Sequence, residues 1–197
     1  MPTDAITDAD VLKIFEESGA LLTGHFKLSS GRHSDQYLEK CQVMQYPRNL
    51  ERLCKAISDR FVDKKPTVVI GPTTMGVVIA YEVAKNLDAR AVFAEKDGDE
   101  RVLRRGFWID PGEKTLIVDD VMTMGGSVES VVKIVEDRGG DIVGIGVVAV
   151  RSKTPPDLGY PVEALLKMDV VSWPPEECPL CKAGKEITSP GSAFLRR

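Results

Sequence analysis

Residues Leu116 to Val128, Leu-Ile-Val-Asp-Asp-Val-Met-Thr-Met-Gly-Gly-Ser-Val, decide how the rest of the chain is read. Thr115 to Val118 is a short apolar run with the texture of a strand buried on both faces, as in a parallel sheet. It delivers two adjacent carboxylates, Asp119 and Asp120, and then a tight loop that opens into a helical pattern. Gly125 and Gly126 admit backbone conformations closed to other residues, so several N–H groups can point inward together. A helix starting near Ser127 adds its positive end, while Thr123 and Ser127 add hydroxyl donors. These features make a cradle for one phosphate monoester. Carboxylates at its rim would repel a phosphate, but they suit the hydroxyls of a neighbouring sugar diol. A phosphate with a ribose beside it is a 5-phosphoribosyl group. The competing reading is that the glycine pair merely turns the chain and the acids cap a surface.

On either side, short apolar strands alternate with helices. Thr67 to Ile70 is β-branched and ends in Gly71-Pro72; Val77 to Leu87 follows at helical spacing. Ala91 to Ala94 is a further short strand, a helix runs from the glycine pair to Arg138, and Asp141 to Val150 is apolar almost throughout. Such alternation predicts an α/β fold with a central, mainly parallel sheet flanked by helices. Upstream, Asp8 to Gly19 and Pro47 to Phe61 are amphipathic helices, the second opening on proline in its first turn. Between them, Leu21 to Lys40 reads as two short strands or a hairpin around the polar insert Ser29 to Asp35. Glu95 to Trp108 is highly charged and carries two glycines. It reads either as a solvated β-hairpin or, because it follows a parallel strand, as a ligand loop.

The bulk composition narrows the class. At 197 residues the chain suits one domain and can bury a core without a metal or disulfide staple. A net charge of −4 argues against non-specific nucleic-acid binding, so an anionic substrate must be caught by a local basic patch. No apolar run is long enough to span a membrane, and the first ten residues lack the basic start of a signal peptide. Four scattered cysteines fit a reducing, cytoplasmic setting. Cys178 and Cys181 have metal-ligand spacing, but a second pair is missing and His25 and His33 have nothing to support them. Two small buried side chains or a local knuckle are therefore expected ahead of the alternative, zinc, and no metal is assigned to protein side chains.

The order of apolar strand, paired acids, hydroxyl, double glycine, Ser and helix resembles the fingerprint with which type I phosphoribosyltransferases bind 5-phosphoribosyl 1-diphosphate (PRPP). The resemblance runs from about Leu21 to Ser192. It implies the type I phosphoribosyltransferase fold in one domain, with a core over 60–155 and a hood made of 20–45 and the tail 170–197. It implies PRPP contacts from Thr73, Thr74, Met75, Gly76, Lys96, Arg101, Asp119, Asp120, Thr123, Met124, Gly125, Gly126 and Ser127. The corner Gly71 to Gly76 is then the pyrophosphate loop. Some orotate enzymes carry lysine where Met75 stands, so pyrophosphate would rely on backbone, Thr73, Thr74 and Mg²⁺. Met124 replaces a usual Thr, Ser or Ala, which leaves two outcomes open: backbone N–H contacts to the phosphate tolerate it, or its bulk narrows the site.

Three features resemble the orotate branch: the stretch Thr23 to Lys40 with its F-x-L-x-S-G-R core, Arg151 at a strand end, and the tail Pro175 to Ser192. They imply orotate contacts from Ser29, Thr123 and Arg151, whose fork fits a carboxylate. Taken alone, Arg151 could equally be a strand-end surface arginine. Lys96 matches a lysine of the family's mobile loop, whose histidine is absent; Arg104 and Arg105, with Arg101, are expected to replace the missing cations. Catalysis would fall to Asp119, Asp120, Lys96, Arg104 and Arg105, with Mg²⁺ as cofactor. A homodimer is implied, with the 96–106 loop reaching the partner's site. The alternatives are a purine acceptor, or a PRPP-sensing regulator on the same fold.

Overall fold

The computed structural model describes residues 6–28, 30–152 and 155–189. Helix α1 (Asp8–Glu17) opens on a capping box in which Asp10 N–H donates to Thr7 Oγ1 at 3.2 Å and Thr7 N–H donates to Asp10 Oδ2 at 2.9 Å. Strands β1 (Leu21–Lys27) and β2 (His33–Leu38) form an antiparallel hairpin, followed by a 3₁₀ turn, Lys40–Gln45. Helix α2 (Pro47–Phe61) has proline at its start, where the missing N–H costs nothing, and buries Leu50, Leu53, Cys54, Ile57 and Phe61.

The sheet then assembles from β3 (Val68–Pro72), α3 (Met75–Leu87), β4 (Arg90–Asp97), β5 (Glu100–Leu103), β6 (Lys114–Met122), α4 (Gly126–Asp137), β7 (Asp141–Val150) and β8 (Val162–Lys167). A last short helix, α5, covers Pro179–Lys182. The strand order is β5-β4-β3-β6-β7-β8, parallel throughout except for the β4–β5 hairpin. Side chains alternate along each strand. Val69, Leu116 and Val118 pack into the layer of α1, α2 and α3, whereas Val68, Ile70 and Ile117 pack into that of α4. Covering both faces is why these strands read as unbroken apolar runs. In β7, a Cβ on Gly146 would stand 2.7 Å from Ile57 Cγ2, so glycine there is what lets α2 lie close on the sheet.

The segment Glu95–Trp108 begins as the end of β4 and turns into β5, which is the hairpin geometry of one of its two readings. The structure departs from the sequence reading in two places. Strand β6 continues to Met122, so Asp119 and Asp120 lie inside it, with Asp119 paired to Val147. Strand β8 was not expected: it is a six-residue edge strand carrying Glu163 and preceded by Pro161, too short and mixed to stand out. No helix among the described residues is long and apolar enough to cross a membrane.

Segments of the tail close on the hairpin. His33 and Trp173 exchange both backbone hydrogen bonds at 2.8 Å, and Lys27 N–H donates to Thr188 O at 2.9 Å. Arg32 of the S-G-R turn donates to Ser172 Oγ at 2.9 Å and to Ser172 O at 2.5 Å, while Ser34 Oγ donates to Val171 O at 2.8 Å.

Candidate functional site

The site lies at the carboxyl ends of β3, β4, β6 and β7, where loops of a parallel sheet gather. Strand β6 brings in the two carboxylates. Asp119 is 7% exposed and Asp120 2%. Burial, then the negative charge of Asp120, pushes the Asp119 carboxyl up to about 7. Its Oδ1 accepts the N–H of Asp120 at 2.8 Å. Asp120 Oδ1 accepts from Lys40 Nζ, also at 2.8 Å, and from Val121 N–H at 2.5 Å. Asp120 Oδ2 is buried and has no partner among the described residues. A carboxylate oxygen held dry and unpaired is costly unless a ligand supplies a donor or a cation.

Lys40 is the residue that sequence reasoning missed. It starts the 3₁₀ turn after β2 and reaches across to β6. Burial alone would lower its ammonium, but Asp120's charge and hydrogen bond, with Asp119 adding, hold it above its ordinary value. Only its place in the Leu-Glu-Lys end of the hood stretch hinted at it. An ion pair between residues eighty positions apart is invisible to local pattern.

Beyond the acids the chain turns at Gly125, whose φ of +84° is the left-handed region where glycine carries no penalty. A Cβ at that position would meet Pro156 Cγ at 2.9 Å. Gly126 instead begins α4 and faces open space. No side chain among the described residues caps α4 at its start, so the first-turn N–H groups are left for an anion. Thr123 and Ser127 are exposed beside them. Met124 is 88% exposed, its side chain standing in solvent beside the loop.

The second corner, Gly71 to Gly76, is held tight by close backbone contact. A Cβ on Gly71 would fall 2.2 Å from Gly76 O, and one on Gly76 would fall 2.7 Å from Pro72 Cδ. The Thr73–Thr74 peptide is cis. Arg101, on β5, joins the two corners: Nη1 donates to Thr73 O at 3.2 Å and to Thr73 Oγ1 at 3.3 Å, and Nη2 donates to Ser127 Oγ at 3.4 Å. Thr74 is exposed and Met75 half-buried at the start of α3.

Other expected residues are less gathered. Lys96 lies opposite Arg101 on the exposed hairpin. Arg104 pairs with Asp97 at 2.6 Å and Arg105 pairs with Glu95, so both cations are tied to acids of their own hairpin. Arg151 follows β7, its N–H donating to Met122 O at 2.9 Å. Its Nε is buried without a partner among the described residues. Its charge is felt by Tyr37 of β2: burial, then Glu39, hold that phenol above its ordinary value, while Arg151 and Lys40 act the other way. Ser29 lies outside the described residues, as does the tail beyond 189.

Two sets of side chains could hold a metal. Asp119 and Asp120, hard carboxylate donors with one buried oxygen unpaired, suit Mg²⁺ shared with a substrate. Separately, His25, His33, Cys178 and Cys181 meet in the hood with their ligand atoms all within 4.8 Å of one another. The second ligand pair, absent near Cys178 in sequence, is thus supplied by the hairpin.

The phosphoribosyl transferase domain family matches residues 42–177. The orotate phosphoribosyltransferase of Pelotomaculum thermopropionicum is 46% identical over 187 residues, covering 95% of this chain and 98% of its own. Among solved structures, orotate phosphoribosyltransferase from Aeropyrum pernix superposes with a TM-score of 0.69 at 21% identity, covering 80% of this chain and 93% of its own. Adenine phosphoribosyltransferase from Rhodothermus marinus gives 0.62 at 22% identity, covering 81% and 99%. The structural likenesses speak to the fold alone, which enzymes with different acceptor bases share.

Proposed function

The chain belongs to the phosphoribosyl transferase family, among its orotate phosphoribosyltransferases, and from that premise we propose that it transfers the 5-phosphoribosyl group of PRPP to orotate, giving orotidine 5′-monophosphate and pyrophosphate. The observation that carries the reading is the buried Asp119–Asp120 pair set directly before the uncapped start of α4. Open amides and hydroxyls of Thr123 and Ser127 suit a 5-phosphate, and adjacent carboxylates suit the ribose diol.

In the reaction, a ring nitrogen of orotate forms a bond to the anomeric carbon as the bond to pyrophosphate breaks, and the nitrogen's proton leaves to water. The displacement is loose and oxocarbenium-like, so the protein's work is positioning and charge stabilisation. Asp119 and Asp120 orient the ribose and stabilise its developing positive charge. Lys40, donating to Asp120 Oδ1 at 2.8 Å, holds that carboxyl in place. Arg101, bonded to both corners, stands where a cation faces phosphate and pyrophosphate together. Thr73, Thr74 and the Met75 and Gly76 amides receive the pyrophosphate. Mg²⁺, when bound, would supply charge neutralisation on the substrate's oxygens, held by Asp119 and Asp120, substrate and water.

The buried, unpaired Arg151 Nε supports a carboxylate-bearing acceptor, because a carboxylate both accepts its N–H and pairs with the guanidinium charge, whereas a neutral adenine can only accept. Lys96, Arg104 and Arg105 act from the hairpin, the two arginines exchanging their acids for the leaving group as the loop closes. A homodimer in which residues 96–106 serve the partner's site fits the exposure of that hairpin. Activity with orotate, adenine, guanine and xanthine, each with PRPP and Mg²⁺, tests the reading. Turnover confined to orotate supports it; turnover with a purine, or PRPP binding without turnover, refutes it.

A further inference from the structure

Four side chains from two distant segments face one point in the hood. His25 comes from β1 and His33 from β2; Cys178 stands at the start of α5 and Cys181 within it. The three-residue spacing of Cys178 and Cys181 on one helical turn brings both thiols to the same face. His25 Nε2 lies 3.2 Å from His33 Nδ1, 3.5 Å from Cys178 Sγ and 3.7 Å from Cys181 Sγ. Cys181 Sγ lies 3.3 Å from His33 Nδ1. A tetrahedral zinc with bonds of about 2.05 Å to nitrogen and about 2.3 Å to sulfur sets N···N near about 3.3 Å and N···S near about 3.6 Å. These four separations match those edges within a few tenths of an ångström, and all the ligand atoms lie within 4.8 Å of one another.

The surroundings fit a metal ligand set. His25 Nδ1 is 2.9 Å from the carbonyl oxygen of Lys185. A carbonyl can only accept, so Nδ1 carries the proton and Nε2 turns its lone pair toward the two sulfurs. His25, His33 and Cys178 are buried, and Cys181 closes the cluster from its exposed side. Both cysteines are free thiols. Two cysteine sulfurs and two imidazole nitrogens gathered at one point suit zinc over harder cations.

We propose that His25, His33, Cys178 and Cys181 form a structural zinc site that clamps the C-terminal segment onto the hood hairpin. All four positions are filled by protein, so the site is closed and does no chemistry on substrate. It explains how a segment whose only helix is the four-residue α5 is held at 173–188. Two backbone bridges, His33 with Trp173 and Phe26 with Thr188, sit on either side of the cluster, and the zinc would lock them together.

Tag-free protein purified without chelator, in reducing buffer, should contain close to one zinc per chain by elemental mass spectrometry. Replacing that zinc with cobalt(II) should give the intense visible bands of a tetrahedral site and a near-ultraviolet thiolate charge-transfer band. Cys178→Ser and Cys181→Ser should each lose most of the metal, Cys41→Ser should keep it, and His33→Cys should keep it while strengthening the thiolate band. The cobalt spectrum is read on the unsubstituted protein, so it decides the matter even if a variant fails to fold. Zinc well below stoichiometry with no thiolate band would overturn the proposal. So would full zinc retention in folded Cys178→Ser, or a mass two daltons light from a Cys178–Cys181 disulfide.

Discussion

Replacing Asp119 by Asn should stabilise the free protein at neutral pH while removing most of its turnover. Asp119 is buried beside a second carboxylate, and burial followed by the Asp120 charge pushes it from 3.8 up to about 7. The folded state therefore holds this proton more tightly than the unfolded chain does. Stability is lost as pH rises from the unfolded value of 3.8 through about 7, the reverse of a salt-bridged aspartate. At about 1.4 kcal/mol per tenfold change in proton affinity, the loss between pH 5 and pH 8 is roughly 2–3 kcal/mol. Asn carries no titrating proton, and its Oδ1 can still accept the Asp120 N–H now donated at 2.8 Å. Urea unfolding of both proteins at the two pH values measures the gap directly. The Asn variant should gain on the parent by roughly 2–3 kcal/mol as pH rises from 5 to 8. A gap that stays flat, or shrinks with rising pH, would refute the claim that Asp119 is held against its ionisation.

Lys40→Met leaves Asp120 buried without its cation. It should cost roughly 1–3 kcal/mol in unfolding free energy, less than a wholly buried pair because the Lys40 side chain is 46% exposed, and turnover should fall with it. Arg151→Ala should raise KM for orotate roughly 10- to 100-fold in steady-state assays and leave KM for PRPP nearly unchanged, as expected for loss of one charged contact. Arg104→Ala and Arg105→Ala should lower kcat without changing the unfolding midpoint, since both side chains are exposed. Unchanged turnover in both would remove the hairpin arginines from the mechanism.

Much of the architecture was readable where one local signal dominates. Helix α2 matches its expected bounds because proline fixes its first turn and its apolar positions recur at helical spacing. Strands β3, β6 and β7 announced themselves as apolar β-branched runs because both faces of the sheet are covered. The end of β6 was less legible: two adjacent carboxylates read as a strand end, whereas pairing to β7 carries the strand to Met122. What makes their burial tolerable is Lys40, which arrives from the hood. Strand β8 escaped because a short edge strand with a charged residue has little pattern of its own. The His25–His33–Cys178–Cys181 cluster escaped for a related reason. Its members are paired by the closure of the tail on the hairpin, a contact spanning some 150 residues. The exposure of Met124 is likewise set by the turn at Gly125 and has no trace in composition.

The most direct test of the central claim follows orotate absorbance and pyrophosphate release together, in the presence of PRPP and Mg²⁺, for the protein and for Asp120→Asn. The account predicts equimolar loss of orotate and release of pyrophosphate, reduced at least about 100-fold in a folded Asp120→Asn variant. No orotate loss despite PRPP binding, or undiminished turnover in Asp120→Asn, would contradict it.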